Sequence, residues 1–144
     1  MIVKKILNYI KSREDKTIRL YENKWYRIAE AKITNQDVAT ASIIKIGTNY
    51  SNQAPMTVVI GFATAHTSAQ LEEIVKKLHS TVKHIDKVRV QYNSSNKTFY
   101  LDIHYNLSNM TNNCYINFLG KDSFWKFTDD NTVTEYTTSA ELNL

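Results

Sequence analysis

Hydrophobic and polar positions alternate most cleanly between Lys87 and Asn106, KVRVQYNSSNKTFYLDIHYN. Val88, Val90 and Tyr92 share one face of a first arm, and Phe99, Leu101, Ile103 and Tyr105 share one face of a second. A polar loop, Asn-Ser-Ser-Asn-Lys, separates the arms, so the segment predicts a β-hairpin. If residues whose numbers sum to 191 lie opposite one another, Tyr92 meets Phe99, Val90 meets Leu101 and Val88 meets Ile103 on the buried side. On the outer side Gln91 faces Tyr100, Arg89 faces Asp102 and Lys87 faces His104. One register thus satisfies apolar burial and cross-strand charge pairing together.

The same reading, applied to runs of β-branched and aromatic residues bounded by Asn, Ser, Asp and Gly, predicts further strands. They fall at Thr17 to Tyr21, Lys24 to Ile33, Thr40 to Gly47, Met56 to Ala65, Cys114 to Leu119, Phe124 to Thr128 and Val133 to Thr137. Many short strands at such spacing predict a mainly β fold, a β-sandwich or jelly roll, over residues 16 to 144 as one domain. Met56, Val58, Ile60 and Phe62 form an inward face, while Gly61 and the small Ala63 and Ala65 opposite allow close approach by another layer or subunit.

Two segments have helical rather than alternating periodicity. Within residues 1 to 15, Ile2, Val3, Ile6, Leu7 and Ile10 make one apolar stripe with Lys4, Lys5, Asn8 and Lys11 outside it. So short a helix needs a partner surface. Val3, Ile6 and Ile10 fit the seam positions of a coiled coil with other copies of the chain, and packing back on its own domain satisfies the stripe equally. In Ser68 to Ser80, Leu71, Ile74, Val75 and Leu78 fall on one helical face, and Ser68 can cap with Glu72 or Glu73 in the first turn.

Charge and composition narrow the function classes. The 144 residues carry a formal net charge of +4 from 18 basic and 14 acidic groups, too mild an excess for a nucleic-acid stripe. The one cysteine, Cys114, excludes an internal disulfide framework and alternates with Ile116 and Phe118 as a small buried hydrophobe would. No apolar run approaches the ~18 residues of a membrane span, and lysines interrupt the start, so neither membrane insertion nor a signal peptide is expected.

Candidate chemistry is sparse. His66, His79, His84 and His104 show no metal-ligand spacing, and a surface position is the expectation for each. The three glycines stand too far apart for a phosphate loop, so no metal and no cofactor is expected. Asp102 and His104 would project from one strand face as a general acid-base pair might, but the register gives Asp102 a structural partner in Arg89, a cross-strand surface pair. The chain is therefore expected not to be an enzyme. Aromatic and amide side chains point instead to binding. Tyr50, Gln91, Tyr100, His104 and Tyr115 are the candidate ligand contacts, because a pyranose face stacks on an aromatic ring while amides bond its hydroxyls.

The segment Lys24-Trp25-Tyr26-Arg27-Ile28-Ala29-Glu30, then Lys87-Val88-Arg89-Val90 and Thr98-Phe99-Tyr100-Leu101-Asp102-Ile103-His104-Tyr105-Asn106, resembles the C-terminal head modules of bacteriophage tail fibres and related prophage structural proteins. In those modules a "WYRIA" strand opens the domain and an "IRV … YLDIYYN" hairpin follows, and the resemblance covers roughly residues 20 to 140. It implies a β-sandwich or jelly-roll head, often trimeric, that attaches a virion to a host surface component, commonly a glycan, with the amphipathic start as the remnant of a trimerising stem. It also implies contact with other virion proteins, after synthesis in the host cytoplasm. The family carries strand-like sequence where periodicity here predicts a helix at 68 to 80. Two alternatives stand beside this reading: a glycan-active enzyme using surface carboxylates such as Asp102, and a structural or accessory virion protein bound only to protein partners.

Overall fold

The computed structural model describes residues 2–3, 15–49, 56–78 and 83–144. Among them are ten strands: β1 (Asp15–Leu20), β2 (Trp25–Lys32), β3 (Ala39–Asn49), β4 (Thr57–Ala65), β5 (Ser68–Leu78), β6 (Ile85–Asn93), β7 (Thr98–Tyr105), β8 (Asn112–Gly120), β9 (Trp125–Phe127) and β10 (Thr137–Asn143). They form two antiparallel five-stranded sheets, in the orders β1-β8-β3-β4-β5 and β10-β6-β7-β2-β9. Consecutive strands β3, β4 and β5 are neighbours, which is a meander and not the cross-sheet alternation of a jelly roll. Mainly β is therefore the fold class, as the alternation predicts.

The core lies between the sheets because each strand turns alternate residues inward. Leu20, Ile44, Ile46, Ile60 and Phe118 come from the first sheet, and Ile28, Val88, Val90, Leu101, Ile103 and Trp125 from the second, all fully buried. Rings interlock across the gap: Phe62 meets Trp125 edge to face at 4.8 Å, and Phe118 meets Phe127 at 4.8 Å. Cys114 belongs to this core, and burial pushes its thiol pKa up to about 12, out of the reactive range.

The β6–β7 hairpin has the register that alternation predicts. Tyr92 pairs with Phe99, Gln91 with Tyr100, Val90 with Leu101, Arg89 with Asp102, Val88 with Ile103 and Lys87 with His104. Its loop is closed by the Asn93 side chain, which accepts from the Ser95 amide at 3.0 Å, and by Lys97 in the left-handed region at φ 54°.

Four expectations need correction. Residues 68–78, expected in a helix, are the strand β5, and residues 79–80 lie outside the described residues. The physical reason is a broken alternation. β5 runs 11 residues against 9 in β4, and two register shifts, between Glu73 and Val75 and between Val75 and Leu78, absorb the surplus. Two bulges leave Leu71, Ile74, Val75 and Leu78 at three-to-four spacing, which imitates a helical stripe. Gly61 makes room for one of them, since a Cβ there would stand 2.6 Å from Ile74 Cδ1, so the close approach expected at Gly61 is made by β5.

The strand expected at Val133 to Thr137 begins only at Thr137, because the Thr134 carbonyl accepts from the Arg27 side chain and the Tyr136 amide donates to the Gln91 side chain rather than to a neighbouring strand. His84 is not on the surface: it is buried, with Nδ1 hydrogen-bonded to the Thr48 hydroxyl. The Arg89–Asp102 pair is buried as well, as described below. Of the N-terminal stripe, Ile2 and Val3 are exposed, and Ile6, Leu7 and Ile10 lie outside the described residues. Tyr50 and His79 lie outside them too.

Candidate functional site

Outward residues of the second sheet build a polar and aromatic cluster whose centre is Asp102, in the middle of β7 and 0% exposed. Its neighbours come from both flanking strands. Arg89 on β6 donates through Nε to Oδ2 at 2.9 Å. Arg27 on β2 donates through Nε to Oδ1 at 2.8 Å and through Nη2 to Oδ2 at 3.1 Å, a bidentate fork. A bulge aims Arg27 outward: Arg27 pairs with Asp102 and Ala29 with Leu101, so Ile28 is the extra residue and returns to the core.

Residues 128–136 cross this cluster as a strap. Its hold is centred on Arg27, whose amide donates to the Asn131 carbonyl and whose Nη1 donates to the Thr134 carbonyl. Thr128 and Asn131 side chains donate to the Arg27 carbonyl. Glu135 closes the network, accepting from Arg89 Nη2 at 2.8 Å and from Gln91 Nε2 at 2.9 Å. The Gln91 oxygen accepts from Arg27 and from the Tyr136 amide. Two guanidinium cations thus face two carboxylates, and the group is neutral.

Aromatic rings cap both cations. Tyr100 and Tyr136 stack at 5.3 Å and 15°, with the Arg27 guanidinium 4.1 Å from the Tyr100 ring centre. Arg89 lies 4.1 Å over Trp25, and Trp25 meets His104 edge to face at 5.1 Å. His104 in turn bonds Asp86 through Nδ1 at 2.6 Å.

Beside this network opens a cleft of about 450 Å3 lined by Asn23, Lys24, Trp25, His104, Thr132, Val133 and Glu135. Its walls offer an indole, a carboxylate, an amine, an imidazole, an amide and a hydroxyl, the donor and acceptor set that a polyhydroxylated ligand needs. Hydrogen bonds from Arg89, then from Gln91, hold the Glu135 carboxyl below its ordinary pKa, so it faces the cleft as an anion and an acceptor.

That depression gives stability a pH dependence of definite sign. A carboxyl with a lowered folded pKa contributes fully above its unfolded pKa of about 4.3 and loses the contribution as pH falls through the folded value. Wild type is therefore expected to melt above Glu135→Gln at neutral pH. The gap should close in acid, as followed by thermal unfolding across pH. A gap that widened in acid would contradict the assignment.

The other candidate contacts fall in three places. His104 lines the cleft. Tyr100 is half-buried in its stack with Tyr136, and Gln91 is 1% exposed beneath the strap, its amide occupied by four partners. Tyr115 is on the opposite side of the molecule, exposed on the outer face of the first sheet in a depression with Lys45, Asn49 and Asn117. Tyr100 and Tyr115 therefore do not converge on one ligand. Sequence reading missed Arg27, Trp25 and Glu135 as members of one site. The available signal was Arg27 itself, a cation inside the apolar run Trp25-Tyr26-Arg27-Ile28-Ala29.

No protein-family model and no curated protein matches the chain. Its fold is similar to part of the crystal structure of the tailspike protein of Acinetobacter phage vB_ApiP_P1, with a TM-score of 0.50 and 8% sequence identity. The likeness covers 81% of this chain and 22% of the tailspike chain, and at that identity it is a likeness of fold alone.

Proposed function

We propose that the chain is a non-enzymatic virion domain of the phage tail, which attaches to a glycan on the host surface through the cleft at Trp25 and Glu135, as a homotrimer held to other virion proteins. The observation that carries this reading is the cleft: an indole and an ionised carboxylate stand side by side, locked by a buried network before any ligand arrives. Preorganisation of that kind lowers the entropic cost of holding a sugar. Similarity of fold to a phage tailspike supports a place in the virion. Asp102, the carboxylate that an enzyme reading would use, has both oxygens occupied by buried arginines and lies beneath the strap, out of reach of a substrate.

Glycan-array screening followed by calorimetric titration of the best ligand tests the proposal. Trp25→Ala is expected to weaken binding about 5- to 150-fold, since an aromatic stack supplies on the order of 1–3 kcal/mol in comparable ring contacts. Glu135→Gln, which keeps the shape of the side chain, is expected to weaken it less. Absence of glycan binding, or binding unchanged in Trp25→Ala with an intact circular dichroism spectrum, would overturn the assignment.

A further inference from the structure

The cleft at Trp25 does not end at Lys24. Lys24 and Thr132 wall the cleft and also wall a second depression of about 260 Å3, whose other lining residues are Tyr26, Asp129, Asp130 and Asn131. Two depressions that share two walls make one groove, with the start of β2 along one side and the strap along the other. Arg27 fixes both halves of it. Its side chain holds the strap at Thr134 beside the cleft, while its amide donates to the Asn131 carbonyl at 2.9 Å and its carbonyl accepts from the Thr128 and Asn131 side chains beside the second depression. The groove is therefore shaped along its whole length before a ligand arrives.

The two halves differ in charge. In the cleft the Glu135 carboxylate is matched by the buried Arg89 guanidinium. Beyond Lys24 stand two further carboxylates, Asp129 and Asp130, and Lys24 itself already has Glu22 at 3.5 Å. Hydrogen bonds from the Thr132 amide, then from its hydroxyl, hold the Asp130 carboxyl below its ordinary pKa, so it is ionised at neutral pH. Tyr26 forms a closed end: it is buried, and its hydroxyl accepts from the Tyr21 and Glu22 amides. This half of the groove is thus acidic on a chain of net charge +4. An ionised carboxylate only accepts hydrogen bonds, so a ligand must donate there, and an ammonium supplies three donors together with the opposite charge.

We propose that the groove takes a linear glycan of at least two sugar units, the first stacked on Trp25 and the second, an amino sugar with a free amine, held beyond Lys24 by Asp129 and Asp130. This extends the glycan reading of the cleft, on which it rests, to the length and charge of the ligand. Glycans that carry carboxylates are rejected, because they bring like charge against Asp129 and Asp130. Acetylation of the amine removes its charge and with it most of the gain from the second unit.

Calorimetric titration with glucosamine oligomers of one to four units, their N-acetylated counterparts and galacturonate oligomers decides it. The glucosamine dimer is expected to bind about tenfold more tightly than the monomer, the gain of one charge-assisted contact, and the gain should shrink as salt rises. In Asp129→Asn/Asp130→Asn, which keeps the side-chain shapes and an acceptor for the Thr132 amide, the dimer is expected to bind only as tightly as the monomer, with circular dichroism unchanged. Trp25→Ala is expected to weaken monomer and dimer alike. A dimer no tighter than the monomer, a gain that survives Asp129→Asn/Asp130→Asn, or a preference for the N-acetylated or galacturonate series would each overturn the second position and leave the cleft assignment standing. If no member of the three series binds, the second position falls, and the glycan array decides the cleft on its own.

Discussion

Replacing Asp102 with alanine is expected to destabilise the fold by about 3–5 kcal/mol, a fall in Tm on the order of 10 °C. The cause is electrostatic. Asp102 is fully buried and accepts from Arg27 and Arg89, which are themselves buried, so its removal leaves two guanidinium cations short of a counter-charge. Asp102→Asn is expected to cost nearly as much, because an amide carries no counter-charge and in either orientation turns its NH2 toward an arginine N–H. Simultaneous replacement of Arg27 and Arg89 by methionine and of Asp102 by leucine is expected to recover much of the loss, since an apolar trio carries no desolvation penalty. Urea unfolding of the single and triple variants measures these differences. A cost below about 1 kcal/mol for Asp102→Ala would mean that the pair behaves as an exposed surface bridge, the role its cross-strand spacing alone suggests.

The network also couples fold to site. Arg89 and Gln91 fix the Glu135 carboxylate at the cleft, and Arg27 fixes the strap that carries Thr132, Val133 and Glu135. Loosening Asp102 should therefore weaken the proposed glycan binding before the domain unfolds. The cleft is shaped by Asp102, a residue outside its lining.

How much of this was legible in the chain follows from the range of each interaction. The β6–β7 register could be read because both arms lie within twenty residues and each step is checked by an inward and an outward pair. β5 could not, because two bulges shift its phase and convert alternation into a helical spacing. β10 could not either: Thr137–Asn143 has few β-branched or aromatic residues, and its strand state is imposed by pairing with β6. The site was half legible. Arg89 and Asp102 were found as local partners, whereas Arg27 lies 75 residues from Asp102 and the strap more than a hundred from Arg27. Burial of the pair depends on those two distant segments, so a local reading placed it on the surface.

Trp125 tests the packing of the two sheets in the same way that Asp102 tests the outer network. It sits in a strand of three residues, β9, held to β2 by only three register pairs, yet it is among the largest fully buried side chains. Strand pairing of that length cannot account for its order, so the side chain must hold the strand in place. Its ring contacts Phe62 of the opposite sheet, and its indole N–H donates to the Thr40 hydroxyl at 3.0 Å. Trp125→Ala is expected to cost about 3–5 kcal/mol, nearly all of it from the cavity and lost contacts. The polar share is small because Thr40 keeps its bond to the Thr64 hydroxyl at 2.7 Å. Trp125→Phe, which restores the ring against Phe62, should recover more than half of the loss. Binding at the Trp25 cleft, measured well below the melting transition, should be little changed by Trp125→Phe, since Trp125 faces the core and Trp25 the outer surface of the same sheet. A loss under about 1 kcal/mol in Trp125→Ala would show that β9 is held by its backbone pairs and that the sheets do not depend on this contact.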